Sequence, residues 1–180
     1  KADIYATTGL QFMTINTLYQ LIAFHQQQPN LMGLAERFLM MADFFHWLLS
    51  GAQVVEFTNA TTSQCLDATT RKWSIDLLRK FELPSSIFPE IVDPGTNLGR
   101  LRTDVAERCG MKRLDVIAPA THDTGSAVAA VPTNKTGTAQ WAYISSGTWS
   151  LMGLELPKPV LTPRALELNV TNEGGIDGTY

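Results

Sequence analysis

The stretch that most constrains this chain is Thr121-His122-Asp123-Thr124-Gly125-Ser126, because the residues on either side change character across it. Before it runs Val116-Ile117-Ala118-Pro119-Ala120, apolar and strand-like; after it runs Ala127-Val128-Ala129-Ala130-Val131, small and helix-compatible. A polar segment between two such runs predicts a strand-to-helix junction, the place where an α/β fold presents side chains to a cleft. A carboxylate at that junction sits at the start of a helix and can accept a proton, which makes Asp123 a candidate general base. Asp is also a favoured helix cap, and these six residues alone leave both readings open.

The rest of the chain limits the partners of such a site. At 180 residues it can form one or two domains with a sizeable core. A charged content of 17% is low, which argues for burial over disorder, and a net charge of −3 gives no basic field for nucleic acid or an anionic membrane. Asp43, His46 and glycines interrupt the apolar stretches well short of the roughly 20 residues of a membrane span, and no signal-like segment opens the chain. Cys65 and Cys109 stand alone without metal-ligand spacing, so neither zinc nor a disulfide framework is expected and a reducing cytoplasm fits best. Sequons at Asn59, Asn134 and Asn169 carry no weight without export signals. The start at Lys1-Ala2-Asp3 and the stop at Gly178-Thr179-Tyr180 read as those of an internal fragment of a longer polypeptide.

Along the chain, Phe12, Ile15, Leu18, Tyr19 and Ile22 predict one amphipathic helix, and Leu34, Phe38, Met41, Phe45 and Leu48 a second, ended by Gly51, both stripes being read as packing faces. His25 and His46 lie in or beside them and are read as surface or hydrogen-bonded core residues. Glu56 to Asp67 predicts a short strand and a turn-rich connection. Trp73, Leu77, Leu78 and Phe81 predict a helix ended by Leu83-Pro84; Leu98 to Leu101 a strand; Thr103 to Cys109 a helix capped by Thr103 and stopped by Gly110. Pro132 to Thr138 is a run of turn formers and the best candidate for a domain boundary. The β-rich runs Ala139–Ile144 and Trp149–Leu154 predict a hairpin around Ser145-Ser146-Gly147-Thr148, a loop able to offer N–H groups and hydroxyls to an anion. Asn172-Glu173-Gly174-Gly175 reads as another polar, Gly-rich turn.

Taken in order, five blocks resemble the FGGY family of carbohydrate kinases, most closely its branch acting on L-rhamnulose: Thr8-Gly9-Leu10-Gln11-Phe12 with Ile15 to Leu21, Thr58-Asn59-Ala60-Thr61-Thr62, Thr121-His122-Asp123-Thr124, Ser145 to Gly153, and Thr171 to Gly175. The resemblance implies an α/β, actin-like ATPase (ribonuclease H-like) fold. Residues 1–132 would end a first, sugar-binding domain, 133–138 would connect, and 139–180 would open a second, nucleotide-binding one. It implies phosphoryl transfer from ATP, with Mg²⁺, to the 1-hydroxyl of L-rhamnulose. Asp123 falls on the family's catalytic aspartate, His122 and Thr124 on positions that hold the ketose, and Gly147 and Thr148 on positions at the nucleotide phosphates; no metal ligand is implied. Another ketose or polyol, such as fuculose or xylulose, or a non-catalytic sugar-binding role are the alternatives. The family's first phosphate-binding hairpin and later substrate and adenine segments have no counterpart here, and the connection at 132–138 looks slightly longer than the family's. Ala42 replaces the usual proline ahead of Asp43. The fragment by itself is expected to be inactive.

Overall fold

The computed structural model describes residues 1–147 and 150–180. The chain opens with helices α1 (Ala2–Thr8), α2 (Thr17–Gln27), α3 (Pro29–Gly33) and α4 (Met41–Ser50). Strand β1 (Val55–Glu56) leads straight into α5 (Phe57–Thr62), and β2 (Leu66–Asp67) and β3 (Lys72–Trp73) form a small hairpin before α6 (Ile75–Lys80). After β4 (Ile91–Val92) and β5 (Asn97–Arg100) come α7 (Thr103–Arg108), β6 (Asp115–Ile117) and α8 (Asp123–Ala129). A turn-rich connection without helix or strand follows, then the hairpin β7 (Ala142–Ser146) and β8 (Ser150–Leu154), and finally α9 (Pro163–Glu167).

The β component among the described residues consists of separate two-stranded ladders. One is parallel, β1 beside β4 with Val55 opposite Ile91; the pairs β5·β6 and β7·β8 are antiparallel. Two apolar clusters hold these short elements. One centres on Leu18, Cys65, Leu78 and Leu83, the other on Val55, Phe57, Ala60 and Leu66, and Phe38 and Trp73 pack against both. The two rings meet edge-on at 6.0 Å, so one aromatic pair joins the clusters.

Several expectations shift. The helix expected from Phe12 begins at Thr17, and Thr103 is the first residue of α7 rather than its cap. The stripe Leu34, Phe38, Met41, Phe45 and Leu48 was expected to pack, and of these Phe38 joins the apolar clusters. By contrast, Leu34, Met41 and Phe45 are 76%, 72% and 56% exposed, while α4 buries Asp43 and His46. Periodicity located that helix but assigned its inner face wrongly, because the inner face is polar and is held by hydrogen bonds. Glu56–Asp67 contains a helix where only a strand and turns were expected. Thr and Asn are poor helix formers; the cap that supports them is described below. No helix among the described residues is long and apolar enough to cross a membrane.

Asn172 joins the two ends of the chain. Its side chain donates to Gly9 O and Val160 O and accepts from Val160 N–H, and its own N–H donates to Gly9 O. Gly9 has φ 67°, and a Cβ there would lie 3.0 Å from the Asn172 side chain, so glycine is required on both conformational and steric grounds. Gln11 N–H donates to Thr171 Oγ1, and the Tyr5 hydroxyl donates to Val170 O. The segment 170–175 is thereby laid against the segment that follows α1.

Asp43 is fully buried. One of its oxygens accepts Glu56 N–H at 3.1 Å, and the other has no partner among the described residues. Burial pushes its carboxyl up to about 7, with the neighbouring Glu56 charge adding to the rise. A folded state that holds a proton more tightly than the unfolded chain loses stability as pH rises, here between the ordinary 3.8 and about 7. Asp43→Asn keeps the acceptor for Glu56 N–H and removes that loss. Thermal denaturation of the intact protein is expected to show the variant more stable than the native protein at pH 8, by up to about 4 kcal/mol, with the difference vanishing near pH 4. A variant less stable at pH 8 would contradict the assignment.

Candidate active site

The site is built on Glu56, a glutamate with its side chain in the protein interior. It is the cap residue of α5: its carboxylate accepts Thr58 N–H at 2.8 Å and Asn59 N–H at 3.3 Å, satisfying orphan donors of the helix start. The same carboxylate reaches across the chain and accepts Thr121 N–H at 2.9 Å and the Thr121 hydroxyl at 2.7 Å. The Thr58 hydroxyl donates to it at 2.6 Å while accepting His122 N–H at 3.1 Å. All these partners are donors, which suits an acceptor-only carboxylate. The turn before α8 is therefore fixed by its backbone and by the Thr121 hydroxyl, leaving the side chains of His122 and Asp123 outside the clamp.

Those side chains differ in environment. The Asp123 side chain is 97% exposed. Its Oδ1 accepts Thr124 N–H, and no donor among the described residues engages Oδ2. His122, at the cap position of α8, is mostly buried, with Nε2 3.6 Å from Asp123 Oδ1 and Nδ1 3.5 Å from Glu173 Oε2. Nδ1 has no hydrogen-bond partner among the described residues. Thr124 is buried, and its hydroxyl lies 3.4 Å from Asp123 Oδ1.

Glu173 arrives from the other end of the chain, held by α5 as well. Gly174 N–H donates to the Thr61 hydroxyl at 2.9 Å, and a Cβ on Gly174 would stand 2.6 Å from the Phe57 ring. The Glu173 carboxyl is pushed above its ordinary range chiefly by burial; His122 opposes the rise and Asp123 adds to it. Helix α5 thus carries the Asp123 turn through Thr58 and the Glu173 turn through Thr61.

Two cavities meet at His122 and Glu173. The larger, about 270 Å³, is walled by Leu10, Met13, Ile15, Asn16, Thr17, Met40 and Thr62 together with those two residues. The smaller, about 30 Å³, has room for about one water and is bounded by Thr124, Tyr143, Glu155 and Thr179 on its far side. Tyr143 of β7 lies over Gly153, so the hairpin reaches the same junction. Gly147 is an exposed bend at the end of β7. Thr148 lies outside the described residues.

Of the residues singled out in sequence, His122 lines both cavities and Thr124 the smaller one, Asp123 lines neither but stands beside His122, and Gly147 follows the strand whose Tyr143 borders the smaller cavity. Glu56 and Glu173 were missed as site residues. Glu56 carried one signal, a carboxylate immediately ahead of a Thr/Asn run that needed a cap; Glu173 carried only its place between Asn172 and two glycines.

Comparison with known proteins places this geometry. Residues 1–130 match the model of the FGGY family of carbohydrate kinases, N-terminal domain. The chain belongs to that family. It is 47% identical over 180 residues to a rhamnulokinase of Oceanobacillus iheyensis, covering all of this chain and 37% of the relative. It is 46% identical over 177 residues to one of Halalkalibacterium halodurans, covering 98% of this chain and 37% of the relative. The chain thus spans little more than a third of the length of the curated relatives it matches. Among solved structures, xylulose kinase from Rhodospirillum rubrum superposes with a TM-score of 0.82 at 20% identity, over 99% of this chain and 35% of that one. A carbohydrate kinase from Novosphingobium aromaticivorans gives 0.71 at 26% identity, over 87% and 34%. The fold is that of the FGGY sugar kinases, an α/β fold of the actin-like ATPase type.

The Glu56 clamp has a measurable cost of removal. In Glu56→Gln one carboxylate oxygen becomes an NH₂ group facing a donor, which is expected to cost about 1–3 kcal/mol in denaturant unfolding of the intact protein. Glu56→Ala leaves every one of those donors unpaired and is expected to cost about 3–5 kcal/mol. Unchanged midpoints in both variants would show that the clamp does not hold the turn.

Proposed function

We propose that the intact protein transfers the γ-phosphoryl group of ATP to the 1-hydroxyl of a ketose, with L-rhamnulose as the substrate. The observation that supports this most is Asp123: an exposed carboxylate with one oxygen unengaged, on a turn whose backbone is clamped from below, next to His122, which lines a cleft of about 270 Å³. The named relatives supply the sugar, since those at 46–47% identity are rhamnulokinases.

In this reading Asp123 Oδ2 accepts the proton of the 1-hydroxyl as that oxygen attacks the γ-phosphorus, and ADP leaves. Phosphoryl transfer asks the protein mainly for alignment and charge stabilisation, so a fixed turn under the base serves the chemistry directly. His122, facing the cleft, and Thr124, steadying Asp123 through its N–H, hold the ketose end of the site. Gly147 and Thr148 meet the nucleotide phosphates from the hairpin. Residues 1–132 belong to the sugar-binding domain and 139–180 to the nucleotide-binding one, with 133–138 between them, and closure of the domains excludes water as a competing acceptor. Among the described residues no cluster of three His, Cys, Asp or Glu could cage a metal. Mg²⁺ is ordinarily carried on phosphate oxygens and water with one or two carboxylates, and the open Asp123 carboxylate fits that donor set; the ion would neutralise charge on the transferred group.

The test is a coupled assay of ADP release by the intact protein with L-rhamnulose, L-fuculose and D-xylulose. L-Rhamnulose is expected to give the highest kcat/KM. Asp123→Asn is expected to bind the sugar within about twofold of the native protein while turnover falls by about 10²–10⁴. Native turnover in that variant would remove Asp123 from the mechanism, and preference for another sugar would reassign the substrate.

A further inference from the structure

Glu173 is a largely buried carboxylate, its side chain 24% exposed, for which the reaction above has no use. Nor does the fold need it. Among the described residues its side chain accepts no hydrogen bond, and the turn it belongs to is held by Asn172 on one side and by Gly174 N–H on the other. What it does have is position. Its carboxylate stands 3.5 Å from an imidazole nitrogen that also lacks a hydrogen-bond partner, and the two side chains share the wall of the larger cleft.

The chemistry of that cleft is selective. Its remaining walls are apolar or carry neutral polar groups, Asn16, Thr17 and Thr62, and no Lys or Arg lines either cavity. A largely buried carboxylate with an imidazole beside it favours hydroxyl donors and repels a second anion. An imidazole with a free nitrogen supplies the complementary donor or acceptor for an adjacent hydroxyl. The groups around the pair are Asp123 and, past the narrow pocket, Glu155 and Tyr143, so the field at the cleft is negative or neutral on every side.

We infer that Glu173, with His122, is the specificity-determining pair of the cleft. It accepts hydrogen bonds from hydroxyls of a neutral polyhydroxy substrate away from the reacting 1-hydroxyl, and its charge excludes sugar acids and sugar phosphates as acceptors. The inference deepens the kinase reading and rests on the same cleft. Asp123 takes the reacting hydroxyl; Glu173 decides which molecules can bring one.

Titration calorimetry of the intact protein without ATP tests this apart from turnover, using L-rhamnulose and the corresponding aldonate, L-rhamnonate. The native protein is expected to bind the ketose and to bind the acid at least about tenfold more weakly. Glu173→Gln, isosteric and uncharged, is expected to bind the ketose about tenfold more weakly and to lose most of the discrimination against the acid, with ATP affinity and melting temperature unchanged. Glu173→Asp, which keeps the charge, should continue to reject the acid. The inference is overturned if Glu173→Gln binds ketose like the native protein, if Glu173→Asp admits the acid as readily as Glu173→Gln does, or if the native protein binds the acid as well as the ketose or binds neither. Ketose binding that depends on Glu173 without any ADP release would sink the kinase reading and leave this one standing.

Discussion

A single buried carboxylate sets the geometry of this chain. Glu56 must find donors to be tolerated in the interior, and the ones it finds belong to two distant segments: the first turn of α5 beside it and, 65 residues further along, the Thr121 backbone and hydroxyl ahead of α8. Burying a charge without such partners is prohibitive, so the arrangement is close to all-or-none. With Thr58 completing the link to His122, the position of the turn that bears Asp123 follows from the needs of a group buried beneath it.

In the proposed reading, this solves a conflict faced by any site that holds a base. The base must be open to its substrate, yet its position must be fixed. Here the fixing is done through main-chain N–H groups and the Thr121 hydroxyl, so the Asp123 side chain can remain almost wholly exposed on a backbone that is not free to move. Helix α5 extends the same device to the far end of the chain, because Thr61 and the Phe57 ring seat Gly174 and so bring Glu173 against His122. A helix of six residues made largely of Thr and Asn would not stand alone; it persists because it is capped by a buried acid and packed on Val55 and Leu66.

Much of this was legible in the residues. The alternation of apolar, polar and small segments around Thr121–Ser126 located the junction, and the two β-rich runs located the hairpin, with Tyr143 facing Gly153 across it. Gly51 ends α4 in the left-handed conformation that its place predicted. The failures have two causes. Periodicity treats apolar residues as the inner face, whereas α4 turns Asp43 and His46 inward and leaves Met41 and Phe45 outside. The partnership of Glu56 with Thr121 is between residues distant in sequence, and nothing local in either segment encodes it. The same holds for Glu173 and His122.

The most direct measurement is amide hydrogen exchange at Thr121 and His122 in the intact protein. Both amides lie outside the ladders and ahead of the first residue of α8, so a loop held only by its neighbours would let them exchange near the rate of an unstructured peptide. The account predicts protection of at least about 100-fold at both, comparable to that at Thr58, because all three are closed by the same buried carboxylate and hydroxyl. Unprotected exchange at Thr121 and His122 with a protected Thr58 would show that Glu56 caps its own helix and nothing more, and the turn bearing Asp123 would have lost the support on which the rest is built.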